Sequence, residues 1–276
     1  MKILITGANG QLGRELTRQY SERKEELILT DVEQLDITNV GEVNTFVKLH
    51  RPEVIINCAA HTAVDKCETD VDNAYRINAV GPKNLAAAAF AVGAEIVQIS
   101  TDYVFDGEGS RPITEFDEPN PQTVYGASKL LGEKFTAQLN PKHYILRTAW
   151  LYGEGNNFVR TMLKLSETNK SIKVVNDQQG SPTSTVDLAM AIIKLVDEKN
   201  FGLFHATCKG QCTWYELTKE IFRLKGIDTE VVPCTTEEFP RPAKRPRYSV
   251  LSNRMMVLTT GDIMRDWKEA LEEYLK

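Results

Sequence analysis

Short apolar runs alternate with longer amphipathic segments along the first half of the chain. The apolar runs cover residues 2–6, 27–30, 54–57, 96–100 and 142–146. A helical pattern follows the first run up to about residue 20. Another covers residues 73–92 before the fourth run, and a third includes the segment that carries Tyr125 before the fifth. Short apolar strands that alternate with helices are typical of a parallel sheet covered on both faces. The pattern predicts an α/β fold of the Rossmann type, a doubly wound parallel sheet with its ligand at the carboxyl ends of the strands.

A glycine-rich turn follows the first predicted strand directly and leads into the first helix. Gly7, Gly10 and Gly13 have the spacing G-x-x-G-x-x-G, and Gln11 and Leu12 lie between the last two. Glycines at such a turn allow the backbone to approach a pyrophosphate, and the free N–H groups and dipole of the helix N-terminus attract its charge. The turn therefore predicts a dinucleotide site, the alternative being a glycine-rich connection without a ligand.

The second predicted strand ends in an acid that can contact the same ligand. Asp31 lies 18 residues after Gly13, where a carboxylate can accept hydrogen bonds from the adenosine ribose. An acid there favours an unphosphorylated ribose, but the residues leave the choice between NADPH and NADH open. Asp36 is interpreted equally well as a contact under the adenine or as a solvated turn residue.

The pattern of apolar and polar positions changes after Trp150. Residues 158–166, 186–197 and 261–275 have helical patterns, and residues 172–175 have the pattern of a strand. We expect residues 1–150 to form an NAD(P)-binding Rossmann domain and residues 151–276 a smaller C-terminal α/β substrate lobe. Within the second part, segments at about 170–198 are expected to return to the first domain.

Composition and charge argue against several classes of partner. Lys and Arg number 33 against 38 Asp and Glu, a net charge of −5 without a basic stripe, so we expect no nucleic-acid partner. No apolar run approaches the roughly 20 residues that span a bilayer, so we expect no membrane association. The five cysteines have no metal-type spacing with the four histidines, which predicts no metal site and free thiols in a reducing cytoplasm.

A loop of small residues follows the third strand, and a hydroxyl ends the fourth. Ala59 and Ala60 would let the backbone lie against a cofactor, whereas His61 is interpreted equally as a contact or an ordinary loop histidine. Thr101 can reach a substrate carbonyl, the alternative being a helix or turn cap. The role of Asn78, on the preceding helix, is left open.

Tyr125 and Lys129 are four residues apart, and on a helix they share one face about a turn apart. An ammonium near the phenol should favour the phenolate and lower the tyrosine pKa towards neutrality. The pair therefore predicts a proton donor beside the nicotinamide end of the cofactor, the alternative being a surface helix pair.

Several motifs together resemble the extended short-chain dehydrogenase/reductase family and, within it, the dTDP-4-dehydrorhamnose reductases. They are residues 6–13 (TGANGQLG), 59–66 (AAHTAVDK), 100–107 (STDYVFDG), 147–153 (RTAWLYG), 177–183 (DQQGSPT) and 241–242 (RP), so that the resemblance covers nearly the whole chain. The segment 100–107 is much more specific than the glycine turn. Residues 243–249 (AKRPRYS) depart from the family by being more basic than expected.

The resemblance implies a role for each matching residue. Tyr125 would donate a proton, Lys129 would bind the nicotinamide ribose and tune Tyr125, and Thr101 would hydrogen-bond the keto oxygen. The sugar pocket would be lined by Val64, Asp102, Tyr103 and Trp150. The dinucleotide would be held by Gln11, Leu12, Gly13, Asp31, Asp36, Ile37, Ala60, His61 and Thr62.

The reaction implied by the resemblance is reduction of dTDP-4-dehydro-L-rhamnose to dTDP-L-rhamnose with NADPH or NADH. The oligomeric state is left open, a homodimer being one alternative. One alternative is a sugar-nucleotide epimerase or 4,6-dehydratase of the same family. The Asp-Glu pair that follows the threonine in those dehydratases is absent, since Tyr103 follows Asp102. Another alternative is a regulatory subunit, like the β subunit of methionine adenosyltransferase. The basic loop 241–247 is interpreted as solvated, or else as a site for the nucleotide diphosphate.

Overall fold

The computed structural model describes all residues from 1 to 276. Its centre is a six-stranded parallel sheet. The strands are β1 (Lys2–Thr6), β2 (Glu26–Thr30), β3 (Val54–Asn57), β4 (Glu95–Thr101), β5 (His143–Thr148) and β10 (Gly202–His205). Their order in the sheet is β10-β5-β4-β3-β1-β2. The predicted Rossmann-type α/β fold is therefore confirmed, with a sixth strand, β10, that the apolar pattern did not predict.

The central strands are largely apolar because both faces of the sheet are covered. Ile3 and Ile5 face one core, which the helices α1 (Gln11–Glu22) and α8 (Thr185–Glu198) complete. Leu4, between them, faces a second core with α2 (Val40–His50) and α5 (Gly81–Val92). The alternation along β1 places successive side chains on opposite faces of the sheet, and both faces bury them.

The helical pattern over residues 73–92 forms one continuous run with a change of pitch. It comprises α4 (Val71–Tyr75), a π-helix (Arg76–Val80) and then α5. A short helix α3 (Val64–Cys67) precedes the run, and α6 (Val124–Leu139) packs against it. Thr123 caps α6 by accepting a hydrogen bond from the backbone N–H of Gly126 at 3.0 Å, which fixes the start of the helix that carries Tyr125.

A second, smaller core lies beside the sheet. It is built from α7 (Phe158–Ser166), α9 (Trp214–Lys225), α11 (Trp267–Tyr274) and the parallel strands β7 (Ser171–Val175) and β12 (Glu230–Cys234). Two further pairs of short strands form separate two-stranded sheets, β6 (Leu151–Tyr152) with β9 (Thr183–Ser184) and β8 (Gln179–Gly180) with β11 (Cys212–Thr213).

The segment expected to return to the first domain divides between the two parts. Strand β7 stays in the smaller core, whereas α8 packs on α1 and β10 joins the main sheet. The two parts are thus interleaved along the chain, and a division into domains at residue 150 stays a prediction.

The helix predicted over residues 261–275 is shorter in the structure. A short α10 (Arg254–Thr259) ends before Gly261, whose φ of +104° is incompatible with a helix. The last helix begins only after Asp266, which caps it by accepting from the backbone N–H of Lys268 at 2.9 Å. None of the helices is long and apolar enough to cross a lipid bilayer.

Candidate active site

A cavity of about 1240 Å³ opens over the carboxyl ends of the parallel strands. The first part of the chain contributes the glycine turn, the end of β4 and the start of α6. The smaller core contributes α7, β7 and the loop that contains Arg241. The cavity therefore lies between the two parts, where an open α/β sheet binds its ligands.

Two glycines of the turn are required by close packing. Gly7 has a φ of +64°, and a Cβ atom there would lie 2.7 Å from the backbone nitrogen of Ala59. A Cβ on Gly13 would lie 2.4 Å from the carbonyl oxygen of Gly7. Because neither residue has a side chain, β1, α1 and the loop after β3 can pack closely together at the cavity.

The N-terminus of α1 fits the pyrophosphate of a dinucleotide. The capping residue Gly10 has no side chain to accept the first N–H groups, and the first turn contains no acid. Gly10, Gln11, Leu12 and Gly13 line the cavity. The side chain of Gln11 is engaged elsewhere, accepting from the backbone N–H of Gly153 at 3.0 Å, so the backbone of this segment is what faces an anion.

The acids predicted to contact the adenosine lie outside the cavity lining. Asp31 is partly exposed at the end of β2, and its Oδ2 accepts from the backbone N–H of Asn9 at 3.3 Å. Asp36 caps a turn, accepting from both the N–H and the hydroxyl of Thr38. Ile37 is buried in the second core. The structure thus favours the turn interpretation of Asp36, and the Ile37 side chain packs in the core instead of facing a ligand.

The loop after β3 is fixed by the side chain of Asn78. That amide accepts from the N–H of His61 at 2.8 Å and donates to its carbonyl at 3.1 Å, and it also donates to Ser128 on α6. Ala60 and Thr62 line the cavity, whereas His61 does not. Its ring lies 3.6 Å from the sulfur of Cys67 and 3.6 Å from a carboxylate oxygen of Asp70. The role left open for Asn78 is therefore to hold this loop.

Thr101, Asp102, Tyr125 and Lys129 all line the cavity. The Thr101 hydroxyl donates to Oδ1 of Asp102 at 2.9 Å and accepts from the N–H of Tyr103 at 3.2 Å. The Tyr103 and Tyr125 rings meet edge to face with centroids 5.5 Å apart. Thr101 is thus a turn cap that also presents its hydroxyl at the cavity, so the two alternatives are compatible.

Asp102 has an unsatisfied oxygen. The residue is 4 % exposed, and its Oδ2 has no hydrogen-bond partner. Burial raises the pKa of this carboxyl to about 6, and the hydroxyls of Ser249 and Thr101 partly oppose the rise. A buried acceptor without a partner costs free energy, which a hydroxyl-bearing ligand in the cavity would recover.

The expected effect of Lys129 on the pKa of Tyr125 is wrong for this structure. Burial raises the pKa of Tyr125 above its ordinary value, and a hydrogen bond with Thr101 opposes the rise only in part. Burial also lowers the pKa of Lys129 to about 8, with Glu133 and Cys58 acting in the opposite direction. The Lys129 ammonium donates to the carbonyl of Ile99 at 2.6 Å. Desolvation therefore dominates the pKa of both groups, and Lys129 is not among the charges that shift the pKa of Tyr125.

The indole of Trp150 lines the cavity in a strained backbone setting. Trp150 has a φ of +48°, which is unusual for a bulky residue. Its ring stacks on Trp214 with centroids 3.4 Å apart and planes at 9°. The backbone of Gly180 is equally close, since a Cβ there would lie 2.4 Å from Cε2 of the indole. Trp214 and Gly180 were not predicted, because no local signal links these residues to position 150.

The basic loop is partly exposed and partly at the cavity, and a contact with the nucleotide diphosphate stays a prediction. Lys244 is exposed and pairs with Glu108 at 2.7 Å. Arg245 pairs with Asp65, next to Val64 at the start of α3, at 2.8 Å, and both residues of that pair line the cavity. Arg241 is exposed and lines the cavity as well. The loop therefore supplies cations to the edge of the cavity.

Comparison with known proteins places the chain in a family. The chain is similar to a dTDP-4-dehydrorhamnose reductase, an RfbD ortholog, from Clostridium acetobutylicum, at 68 % identity and a TM-score of 0.99, covering 100 % of this chain and 98 % of that one. It is also similar to the dTDP-4-dehydrorhamnose reductase from Bacillus anthracis in complex with NADP, at 44 % identity and a TM-score of 0.97, covering 99 % and 98 %.

A third relative is the spore coat polysaccharide biosynthesis protein SpsK of Bacillus subtilis, 44 % identical over 100 % of this chain and 97 % of that one. The family model described as the RmlD substrate binding domain matches residues 1–276. The chain belongs to the RmlD substrate binding domain family.

Proposed function

We propose that this chain reduces the 4-keto group of dTDP-4-dehydro-L-rhamnose to give dTDP-L-rhamnose, with NADPH or NADH as the reductant. The main observation in support of the proposal is that Thr101, Tyr125 and Lys129 line the same cavity as the glycine turn. The names of the relatives support the same reaction, and the NADP complex of the Bacillus anthracis relative supports the cofactor.

Each of the three residues has a separate role in the proposed reduction. When bound, the reduced nicotinamide supplies the hydride that adds to C4 of the sugar. Tyr125 donates its phenolic proton to the oxygen as negative charge develops there. Thr101 stabilises that charge by turning its hydroxyl from Asp102 to the same oxygen. Lys129 binds the ribose at this end of the cofactor.

Asp102 and Trp150 line the part of the cavity where the sugar ring would bind. The unpaired Oδ2 of Asp102 accepts a hydrogen bond from a sugar hydroxyl. The indole of Trp150 covers the apolar side of the ring, and Val64 and Tyr103 complete the wall. The cavity is large enough to extend from this point to a nucleotide at Arg241.

A competing function is epimerisation of a sugar nucleotide, in which the cofactor is regenerated within each cycle. A regulatory subunit on the same fold is a further alternative. The relatives named as reductases favour net reduction, and a cavity that retains all three catalytic groups argues against a purely regulatory role.

The decisive experiment supplies the purified protein with dTDP-4-dehydro-L-rhamnose and follows the absorbance of NADPH and of NADH in separate reactions. Stoichiometric loss of either cofactor with formation of dTDP-L-rhamnose supports the proposal. Turnover of a sugar nucleotide without added cofactor would favour the epimerase, and absence of any reaction would favour the regulatory subunit.

We further propose a cytoplasmic location, which is supported by five free cysteines, four of them buried. Formation of a homodimer stays a prediction.

A further inference from the structure

A buried polar cluster lies beneath Lys129, outside the groups that the proposed reaction uses. Glu133, one helical turn after Lys129 on α6, accepts from Arg147 through both carboxylate oxygens, at 2.9 and 2.7 Å. The hydroxyl of Ser100, at the end of β4, donates to the same carboxylate at 2.5 Å. All three side chains are at most 5 % exposed. The carboxylate is therefore held rigidly by strands β4 and β5.

The geometry places this carboxylate one helical turn from Lys129, on the same face of α6. Residues four apart on a helix have their Cβ atoms about 5–6 Å from each other on one face. Lys129 is itself 4 % exposed, and its ammonium donates to the carbonyl of Ile99, the neighbour of Ser100. The lysine and the carboxylate thus occupy adjacent positions over the end of β4.

Glu133 is the anion that faces Lys129. From the loop after β3, Cys58 also acts on Lys129, but burial raises the pKa of that thiol to about 12, so the thiol is neutral at physiological pH. Tyr125, on the same helix, is likewise neutral because its pKa is raised. Arg147, from β5, carries a positive charge that the carboxylate already binds.

Stability alone does not account for the cluster. A buried ion pair is weak evidence for stability, because apolar residues of similar volume stabilise a core equally well or better. We propose that Glu133 is a positioning residue that keeps the buried Lys129 charged and held at the nicotinamide end of the cavity, with Ser100 and Arg147 fixing its carboxylate. This inference rests on the proposed reductase function, in which Lys129 binds the cofactor.

The charge on Lys129 can be measured directly, without substrate, by nuclear magnetic resonance of the protein labelled with ¹³C at lysine Cε. In the wild-type protein the Lys129 resonance should titrate near pH 8, far below ordinary lysines at about 10.4. Its assignment follows from its absence in Lys129→Met. In Glu133→Gln the midpoint should fall by about 1 pH unit, the lower end of the effect of an opposite charge, because Arg147 partly neutralises the carboxylate.

A second reading comes from the pH dependence of kcat/KM for the reduced cofactor, which reports ionisations of the free enzyme. Its alkaline limb should move to lower pH in Glu133→Gln by the same amount, while Glu133→Asp, which keeps the charge, should lie closer to wild type. Because the resonance needs no sugar, a shifted midpoint in a protein without reductase activity would support the positioning role and refute the proposed function separately.

A matched control is available in another buried ion pair. Asp187 is fully buried and binds Arg265 through both oxygens, at 2.7 and 2.9 Å. Asp187→Asn should lower thermal stability as Glu133→Gln does, but leave the Lys129 midpoint unchanged. If Glu133→Gln does not fold, the double substitution Glu133→Leu with Arg147→Met is compared with Arg147→Met alone, so that both proteins lack the cation and differ in the carboxylate. A Lys129 midpoint equal to that of wild type in Glu133→Gln, or equal in the two Arg147→Met proteins, would overturn the proposal.

Discussion

Gly180 is expected to control the position of the Trp150 indole, and Gly180→Ala tests this. A Cβ at position 180 would lie 2.4, 2.6 and 2.7 Å from three atoms of the indole. Trp214 stacks on the same indole at 3.4 Å, so the ring cannot retreat in that direction. The added methyl group must therefore displace the indole along the cavity wall.

The size of the effect follows from these distances. An ordinary contact begins at about 3.4 Å, so the ring or the backbone must move by about 1 Å. Overpacking of this kind costs about 1–3 kcal/mol, which lowers the Tm of a chain of this size by several degrees. A misplacement of about 1 Å in a substrate-positioning group costs roughly 10²-fold in rate. We expect kcat/KM for the sugar nucleotide to fall by about 10- to 100-fold.

The assay compares kcat/KM for dTDP-4-dehydro-L-rhamnose with the Kd for NADPH, which should be unchanged because the added Cβ meets the Trp150 indole and no residue of the glycine turn. Gly41→Ala is the matched control, since its Cβ would make only an ordinary contact at 3.5 Å. In a Trp150→Phe background the smaller ring should relieve the clash and reduce the effect of Gly180→Ala. Wild-type kinetics in Gly180→Ala would refute the reasoning, because Trp150 would then tolerate displacement without loss of function.

Three further substitutions test the site. Tyr125→Phe should lower kcat by roughly 10² or more while fluorescence titration shows an unchanged Kd for NADPH; normal turnover would remove Tyr125 from the mechanism. Asp102 has a pKa raised to about 6, so kcat/KM for the sugar should fall below that pH, and Asp102→Asn should abolish this limb. Since a raised carboxyl pKa makes ionisation unfavourable in the folded state, the wild-type protein should lose stability relative to Asp102→Asn as the pH rises through 6, by up to about 3 kcal/mol in chemical denaturation. Asp31→Ser removes the carboxylate that would oppose a 2′-phosphate, so the ratio of kcat/KM for NADPH to that for NADH should rise about tenfold; an unchanged ratio would show that Asp31 does not select the cofactor.

The sequence predicted the elements whose pattern is local. The strands β1, β3 and β4 are short runs buried on both faces, and the hydrophobic pattern alone identifies them. The sixth strand, β10, was missed because it begins at a glycine with a φ of +138° and ends in a histidine, which leaves only two apolar residues between them. Its pairing with β5 gives it the strand conformation, and pairing is not visible in a single segment.

The same distinction applies to the site. Thr101 could be predicted because it ends a strand, and the carboxyl ends of parallel strands share an edge. The roles of Asp102 and Tyr103 were implied by the family resemblance of the motif that contains them. Trp214 and Arg147 could not be predicted, since they reach the site from elements far along the chain. Arg147 is opposite Ser100 only through the register of β4 and β5. Such contacts depend on the tertiary arrangement, which cannot be inferred from the spacing of residues in the sequence.

The pKa of Tyr125 shows how burial changes the mechanism inferred from spacing. The interval between Tyr125 and Lys129 predicted a phenol tuned towards neutrality, but desolvation raises its pKa instead. For a reduction this direction is favourable, because the donor must hold its proton when the ketone binds. The alkoxide that forms is a far stronger base than a phenolate, so the proton is transferred even from a weak acid. In the proposed mechanism Lys129 is then needed most after transfer, when a phenolate remains at Tyr125, and we expect its charge at that moment to depend on Glu133.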